Sequence, residues 1–400
     1  MSDYKIFLNM IVKNESKVIE RCLDAVSWID GLVISDTGST DNTIELIEEW
    51  RTANNKDGAV VQNEWKNFGH NRTEAILEGK KWCAEHGYDL HTVFFLFIDA
   101  DMLFPAGSIR DIVHQADLWD VRQQNDAIIY SNLRLARASL DIVCVCPTHE
   151  YYDIRTPNAT RKSFDDVVIR DIGDGGSKQD KAQRDIRLLK EALTTDPKNP
   201  RYWFYLANTY RDIRDYQNAI LAYNQRIEIG GWYEELYCAI VYKGDCHQMI
   251  QQNPAAVECW LNAFNIDPER GEALIRLATL YRLQSKHATA MIFIDKGMKL
   301  SLPDRKLFQE KTIYDYRFLY ELSICGYYVK DFVRGRMACD MLLKNENAPT
   351  FIHESVEKNK VFYLKKNIVE VVHHGQGDVE KQALDTLCLF KTPSASLLSS

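Results

Sequence analysis

Apolar residues arrive in short bursts along the first 170 positions, and their spacing keeps changing period. Residues 6–12 read as a strand. Residues 17–28 place Val18, Ile19, Leu23 and Val26 on one helical face, and 31–35 are strand-like again. Residues 42–50 are helical, 59–62 form a third short strand, 72–85 are helical, and 92–98 form a continuous apolar run rich in aromatic residues. A run without polar interruption suits a strand buried on both faces. Alternating strand and helix predicts βαβ units and a mostly parallel, Rossmann-like α/β sheet. Two more strands are expected over residues 127–135 and 141–146, one of them antiparallel.

From about residue 180 strand patterns vanish and long helical ones take over. Trp203, Leu206, Ala207, Tyr210, Ala219 and Tyr223 recur at a fixed frame. Gly244, Ala256, Trp260 and Ala263 take the same frame, and then Leu274, Leu277, Ala278, Tyr281, Ala290 and Ile294. This frame is similar to the tetratricopeptide repeat, in which small residues let paired helices approach and large ones fill the space between pairs. A degenerate fourth copy runs through Leu319, Leu322, Ser323, Gly326 and Cys339, and residues 346–388 read as a terminal cap. The expected organisation is therefore an α/β domain over 1–178, an all-α repeat domain over 179–388, and a disordered tail over 389–400.

Composition narrows the function classes. The chain of 400 residues is 46% hydrophobic and 26% charged, which allows ample core. A formal net charge of −8 argues against nucleic acid as the main partner. No apolar run is long enough to span a bilayer, and the start MSDYKIFLNMIVKNES lacks a signal-peptide pattern. Ten scattered cysteines without paired CxxC spacing read as reduced thiols of a cytoplasmic protein.

Four polar segments interrupt the first half where strands hand over to loops or helices. They are Val12-Lys13-Asn14-Glu15, Ser35-Asp36-Thr37-Gly38-Ser39-Thr40-Asp41, Phe68-Gly69-His70-Asn71-Arg72 and Asp99-Ala100-Asp101. A parallel sheet puts them on one carboxyl edge, where open α/β sheets bind ligands. Two carboxylates one residue apart suit Mg²⁺ or Mn²⁺ holding a phosphate, although a strand ending in a polar turn explains them too. Asp36 can accept from the imide N–H of uracil, with Gly38 allowing close backbone approach. Capping of the next helix by Ser39, Thr40 or Asp41 is the plainer alternative. Arg72 can pair with a diphosphate, or simply carry surface charge.

Together, IVKNES, VISDTGSTDNT, FGHNR and FLFIDADM resemble the family 2 glycosyltransferases of the GT-A fold. The stretch from GDGGSKQDKAQRD through the first repeat resembles bacterial members fused to tetratricopeptide-like repeats, with bacteriocin S-glycosyltransferases as relatives. The resemblance covers roughly residues 5–250. It implies a hexosyltransferase with a nucleotide-sugar donor, UDP-linked. Val12, Asn14, Glu15, Asp36, Gly38, Ser39, Arg72, Asp99 and Ala100 would form the donor pocket, with Asp36 and Glu15 on the base. Asp101, with Asp99 directly or through water, would hold Mn²⁺ or Mg²⁺ against the diphosphate. The family inverts the anomeric centre, which requires a general base. The His149-Glu150 pair is implied here, with Glu150 as base and His149 orienting the acceptor or ligating metal. Asp171 stands where relatives carry a late third ligand, a histidine. The Gly-rich loop after it can cradle an anion through its N–H groups, with Lys178, Lys181 and Arg184 adding positive charge. A linker is the alternative. The repeats imply a docking surface for a glycan, protein or peptide acceptor, or self-association. Two rivals remain. A nucleotidyltransferase needs a Gly-rich, Arg-containing loop that NMIVKNES lacks. An inactive scaffold predicts no metal-dependent turnover.

Overall fold

A computed structural model describes residues 4–105, 107–125, 128–176, 180–305 and 307–370. Lys178 and the tail 389–400 lie outside the described residues. The chain divides into two compact units, Met1–Pro197 and Lys198–Ser400. The sequence reading begins the helical half at 179. The division instead counts one further helix, Lys181–Thr195, with the first unit.

In the first unit the elements are β1 (Lys5–Val12), α1 (Ile19–Ala25), β2 (Gly31–Asp36), α2 (Thr43–Ala53), β3 (Asp57–Gln62) and α3 (Phe68–Glu85). Then come β4 (Val93–Leu96), β5 (Met102–Leu103), α4 (Ile109–Ile112), β6 (Leu118–Asn125), β7 (Ile128–Arg137), β8 (Ile142–Val145), β9 (Tyr151–Ile154), β10 (Arg161–Asp171) and α5 (Lys181–Thr195). The main sheet runs β3-β2-β1-β4-β7-β6-β10-β5. Its first four strands are parallel, as is the β6–β10 pair, while β7 runs antiparallel to both neighbours.

The continuous apolar strands follow from a sheet covered on both faces. Leu8, Ile34 and Phe94 pack with Ile19, Leu23, Ile47 and Trp50 of α1 and α2 on one side. Phe7, Val33 and Phe95 pack with Ile76 and Cys83 of α3 on the other. Successive side chains point to opposite faces, so both sets must be apolar. Asn9 breaks the apolar run, yet its amide donates to Val33 O and Ala75 O at 3.1 and 2.7 Å, so it is a satisfied core residue.

Four strands escape the periodicity argument. β6 (LWDVRQQN) and β10 (RKSFDDVVIRD) are too polar to stand out, and they are held by the ladder and by pairs such as Arg161 to Asp120. β5 is only two residues long and β9 four. The strand expected over 141–146 leaves the main sheet and forms a separate hairpin, β8–β9. Phe97 and Ile98 remain buried but lie beyond β4. The Phe97 N–H donates to Arg134 O of β7.

The second unit contains helices alone among its described residues. They are α6 (Pro200–Asp212), α7 (Tyr216–Ile229), α8 (Tyr233–Met249), α9 (Asn253–Ile266), α10 (Glu272–Leu283) and α11 (His287–Gly297). After a π-helical turn, Ile313–Arg317, follow α12 (Phe318–Tyr328), α13 (Phe332–Leu342) and α14 (Thr350–Glu370). Consecutive helices form hairpins, as the repeat frame predicts. Asn199, Asp215 and Asp331 cap α6, α7 and α13 by accepting a backbone N–H three residues on. Ala207, Ala219, Tyr223, Ala256, Trp260, Ala278, Ala290 and Ile294 are all fully buried. The small residues at these positions let the helices of each pair close up. α14 occupies part of the stretch read as a terminal cap.

Candidate active site

A cleft of about 600 Å³ opens in the first unit. The ends of β1 and β4 line it with Val12, Asn14, Glu15, Asp99, Ala100 and Asp101. Arg72 enters from the first turns of α3, His149 and Glu150 from the β8–β9 turn, Asp171 from the end of β10, and Lys181 from α5. The structure thus gathers eleven of the fifteen residues read from the sequence. Asp36, Gly38 and Ser39 are not on its lining, and Lys178 lies outside the described residues.

Those three residues hold the wall of the cleft together. The Asp36 carboxylate is buried, and it accepts the Gly38 and Ser39 N–H groups at 3.0 Å within its own turn. The Ser39 hydroxyl accepts the Asn14 N–H at 2.9 Å, while Asn14 Oδ1 accepts the Thr40 N–H at 2.7 Å. Thr43 Oγ1 accepts the Glu15 N–H at 2.8 Å. Asn14 sits at φ 55°, a left-handed conformation Asn tolerates better than most residues. The β2–α2 turn therefore fixes where Glu15 points.

Arg72 is the centre of a charge cluster. Its Nη2 lies 2.5 Å from Asp99 Oδ1 and its Nε 2.8 Å from Glu150 Oε1. The start of α3 is fixed against the turn that carries Glu150, since the Phe68 and Gly69 N–H groups donate to Pro147 O and Cys146 O. Asn67 caps the helix by accepting the His70 N–H. Burial works against charge on Arg72, but Asp99, Tyr152 and Glu150 hold its pKa well above the usual value. This guanidinium joins the aspartate of the D-x-D motif to the candidate base.

A second pair of carboxylates meets the Gly-rich loop. The Gly175 N–H donates to Asp101 Oδ2 at 3.2 Å and the Gly176 N–H to Glu15 Oε2 at 2.9 Å. Successive amides thus face anions, as the loop composition suggests, and the anions are side chains. The approach is close. A Cβ on Gly176 would lie 2.6 Å from Asn14 O, so the position requires glycine. Arg21 pairs with Asp174 at 2.6 Å on the same loop. Burial pushes the Glu15 carboxyl up to about 7. The Gly176 N–H opposes this, and the charges of Asp101, Asp99 and Asp41 add to it.

This surplus of negative charge and hard oxygen donors suits a divalent cation. Among the described residues no group of three or more His, Cys, Asp or Glu is arranged to hold one. Asp171 is therefore not gathered with Asp99 and Asp101 into a triad, and its Oδ2 accepts from Gln123 at 3.1 Å. Two carboxylates with substrate phosphate and water still make a reasonable Mg²⁺ or Mn²⁺ site.

Trp65 carries no sequence signal, and neither do the contacts made by Phe68, Arg184 and Asp185. Trp65 and Phe68 line the cleft, edge to face at 4.9 Å, and Arg184 of α5 lies over the Phe68 ring at 4.8 Å. Asp185 is buried 3.9 Å from His149 Nε2, and His149 itself sits at φ 52°. A second cleft of about 350 Å³ shares Arg72, Asp99, His149 and Glu150 with the first, and adds Ser131, Asn132 and Tyr151. Glu150 stands where the two meet.

Comparison with known proteins places these features. The profile of glycosyl transferase family 2 matches residues 8–170, and a tetratricopeptide repeat profile matches 188–220. The SPbeta prophage-derived glycosyltransferase SunS of Bacillus subtilis strain 168 is 24% identical over 223 residues, covering 50% of this chain and 48% of SunS. The nitrite reductase complex subunit NrfG of Escherichia coli O157:H7 is 28% identical over 128 residues, 31% of this chain and 63% of NrfG. The chain thus spans about half of one curated relative and under two thirds of the other. Among solved structures, MamA covers 51% of this chain and 98% of its own, at 19% identity and TM-score 0.29. The C-terminal part of a TPR protein from Cytophaga hutchinsonii covers 53% and 75%, at 13% identity and TM-score 0.38. No helix among the described residues is long and apolar enough to cross a membrane. The cleft, the D-x-D segment and the charge cluster around Arg72 all fall within or beside residues 8–170, and that stretch is a family 2 glycosyltransferase domain, followed by a tetratricopeptide repeat.

Proposed function

We propose that the first unit transfers a hexose from a nucleotide-sugar donor, UDP-linked, to an acceptor nucleophile with inversion. The observation that carries this reading is the junction of two clefts at Glu150, inside a family 2 domain. The larger cleft, with Val12, Asn14, Glu15 and the D-x-D carboxylates, takes the donor, and the smaller one takes the acceptor. Glu150 accepts the acceptor's proton as its oxygen or sulfur bonds to the anomeric carbon, and the nucleoside diphosphate departs with the bonding electrons. Arg72 holds Glu150 and Asp99 in register by its fork of N–H groups. Asp101 and Asp99 would hold Mn²⁺ or Mg²⁺, which supplies positive charge for the leaving diphosphate. His149 lies beside the base and orients the acceptor. The helical unit docks the acceptor when that acceptor is a polypeptide.

The test is a panel of UDP-, GDP- and TDP-sugars with Mn²⁺ or Mg²⁺, following nucleotide release. One donor should be hydrolysed slowly, and EDTA or Asp101→Ala should abolish release. Glu150→Gln should keep UDP–Mn²⁺ binding while losing turnover. A protein that neither turns over any donor nor binds UDP–Mn²⁺ is a scaffold, and the proposal fails.

A further inference from the structure

Arg72, Arg134 and Arg161 all line the smaller cleft, and two of them are already matched. Arg72 is shared between Asp99 and Glu150. Arg161 forks onto Asp120, with Nε and Nη2 2.7 and 2.6 Å from the two carboxylate oxygens. Arg134 of β7 differs. It is only 9% exposed, and among the described residues it makes no ion pair. Its Nη1 donates to Phe97 O at 3.1 Å and its Nη2 to Gln123 Oε1, both uncharged acceptors. Its Nε–H is enclosed and has no partner. Two hydrogen bonds leave most of the five N–H groups of a guanidinium unused.

Nothing nearby supplies the missing negative charge. The Gln123 amide donates onward to Asp171 Oδ2 at 3.1 Å, so the carboxylate at the end of this chain of bonds is one side chain removed. Tyr152 lines the same cleft, but burial pushes its phenol up, and it stays neutral. The guanidinium is also held in place. The Phe97 N–H donates to Arg134 O at 2.8 Å while Nη1 returns a bond to Phe97 O. A buried cation without a carboxylate is costly, and folded proteins pair such groups or give them a ligand. This one stands in the wall of a cleft beside the candidate base.

We propose that Arg134 binds an anionic group, a carboxylate or a phosphate, on the acceptor. This deepens the transferase reading and rests on it for the role of the cleft. Glu150 and Arg134 both line a space of about 350 Å³, so the anion and the reacting hydroxyl belong to one small unit. Ser131 and Asn132, both exposed, line it too, with Tyr151 at 46% exposure. A hydroxyl and an amide beside an open aromatic face suit a hydroxylated ring. The acceptor class is therefore an acidic sugar, a hexuronic acid or a sugar phosphate. A cation placed for its anion discriminates against the neutral sugar of the same shape, which leaves the cation unpaired.

The experiment is a ligand-observed NMR titration of the full chain in EDTA, without donor. The probes are methyl glucuronide, methyl glucoside phosphorylated at its primary hydroxyl, and methyl glucoside itself. At least one anionic probe should bind about tenfold or more tighter than the neutral one, and the tighter of the two tells carboxylate from phosphate. Arg134→Gln that keeps its circular dichroism should bring the anionic probe within about twofold of the neutral one. Equal affinities in the parent, no binding of any probe, or a preference that survives Arg134→Gln overturns the proposal. If Arg134→Gln does not fold, Arg134→Lys keeps the buried cation and loses the planar fork. It should bind the anionic probe at least about threefold more weakly than the parent, and unchanged affinity overturns the proposal. The two readings fail separately. Turnover of a donor without anion preference refutes the Arg134 site alone. Anion preference through Arg134 in a chain that turns over no donor keeps the anion site and refutes its assignment to an acceptor.

Discussion

Replacing Glu15 with Gln isolates the electrostatic load of the cleft. The carboxyl is buried, faces the charges of Asp101, Asp99 and Asp41, and is pushed from 4.5 up to about 7. A folded-state pKa above the unfolded one means that the folded chain binds the extra proton. Stability from this group is then fully present below about 4.5 and is lost as pH rises towards 7. Integrating that shift between pH 5 and pH 8 gives a loss of about 2–3 kcal/mol in the metal-free protein. The Gln side chain keeps an oxygen for the Gly176 N–H and carries no charge. The variant should therefore match the parent near pH 5 and exceed it by about 2–3 kcal/mol at pH 8, because other titrating groups cancel in the difference. Urea unfolding of both proteins in EDTA, followed by tryptophan fluorescence, measures that difference. A Glu15→Gln effect that does not change between pH 5 and pH 8 refutes the reasoning. Mn²⁺ should shrink the gap, since a bound cation stabilises the ionised carboxylate.

Substitutions at two further positions probe charge and packing. Arg72→Met leaves Asp99 and Glu150 without their shared cation, and should lower stability by about 2 kcal/mol, discounted because Asp99 is partly exposed. Arg72→Lys should recover less than half of that in the same urea titration, because an ammonium cannot reach both carboxylates as a fork. Gly244→Ala places a methyl group 2.5 Å from Trp260 Nε1 and 3.1 Å from Cys259 Cβ. It should cost about 1–3 kcal/mol and shift the Trp260 signal in near-ultraviolet circular dichroism, and an unchanged melting temperature would contradict the packing described.

The sequence was informative wherever structure follows a local period. β4 is apolar at every position, and β1 and β2 at most of theirs, because both faces of the sheet are covered, and that leaves long apolar runs in the chain. The repeat frame recurs because each helical hairpin needs small residues at the same points, and Ala256 and Ala290 are buried 34 positions apart for that reason. β6 and β10 were not legible, since their hold on the sheet lies in ladder bonds and ion pairs between distant strands.

The same distinction runs through the site. The chain by itself determined that two carboxylates follow a buried strand, that a glycine pair follows a later one, and that a His-Glu pair lies between them. Only the tertiary structure decided that Arg72 joins Asp99, 27 residues away, to Glu150, 78 residues away. It also decided that Gly175 and Gly176 meet Asp101 and Glu15 across 74 and 161 residues, and that Leu307 and Glu310 return to Glu234 of α8 and Glu272 of α10. Helical and strand periods are imposed by backbone geometry, so a few neighbouring residues report them. Charge pairing and close backbone approach depend on which segments the fold brings together, and nothing in the order of residues marks those partners in advance.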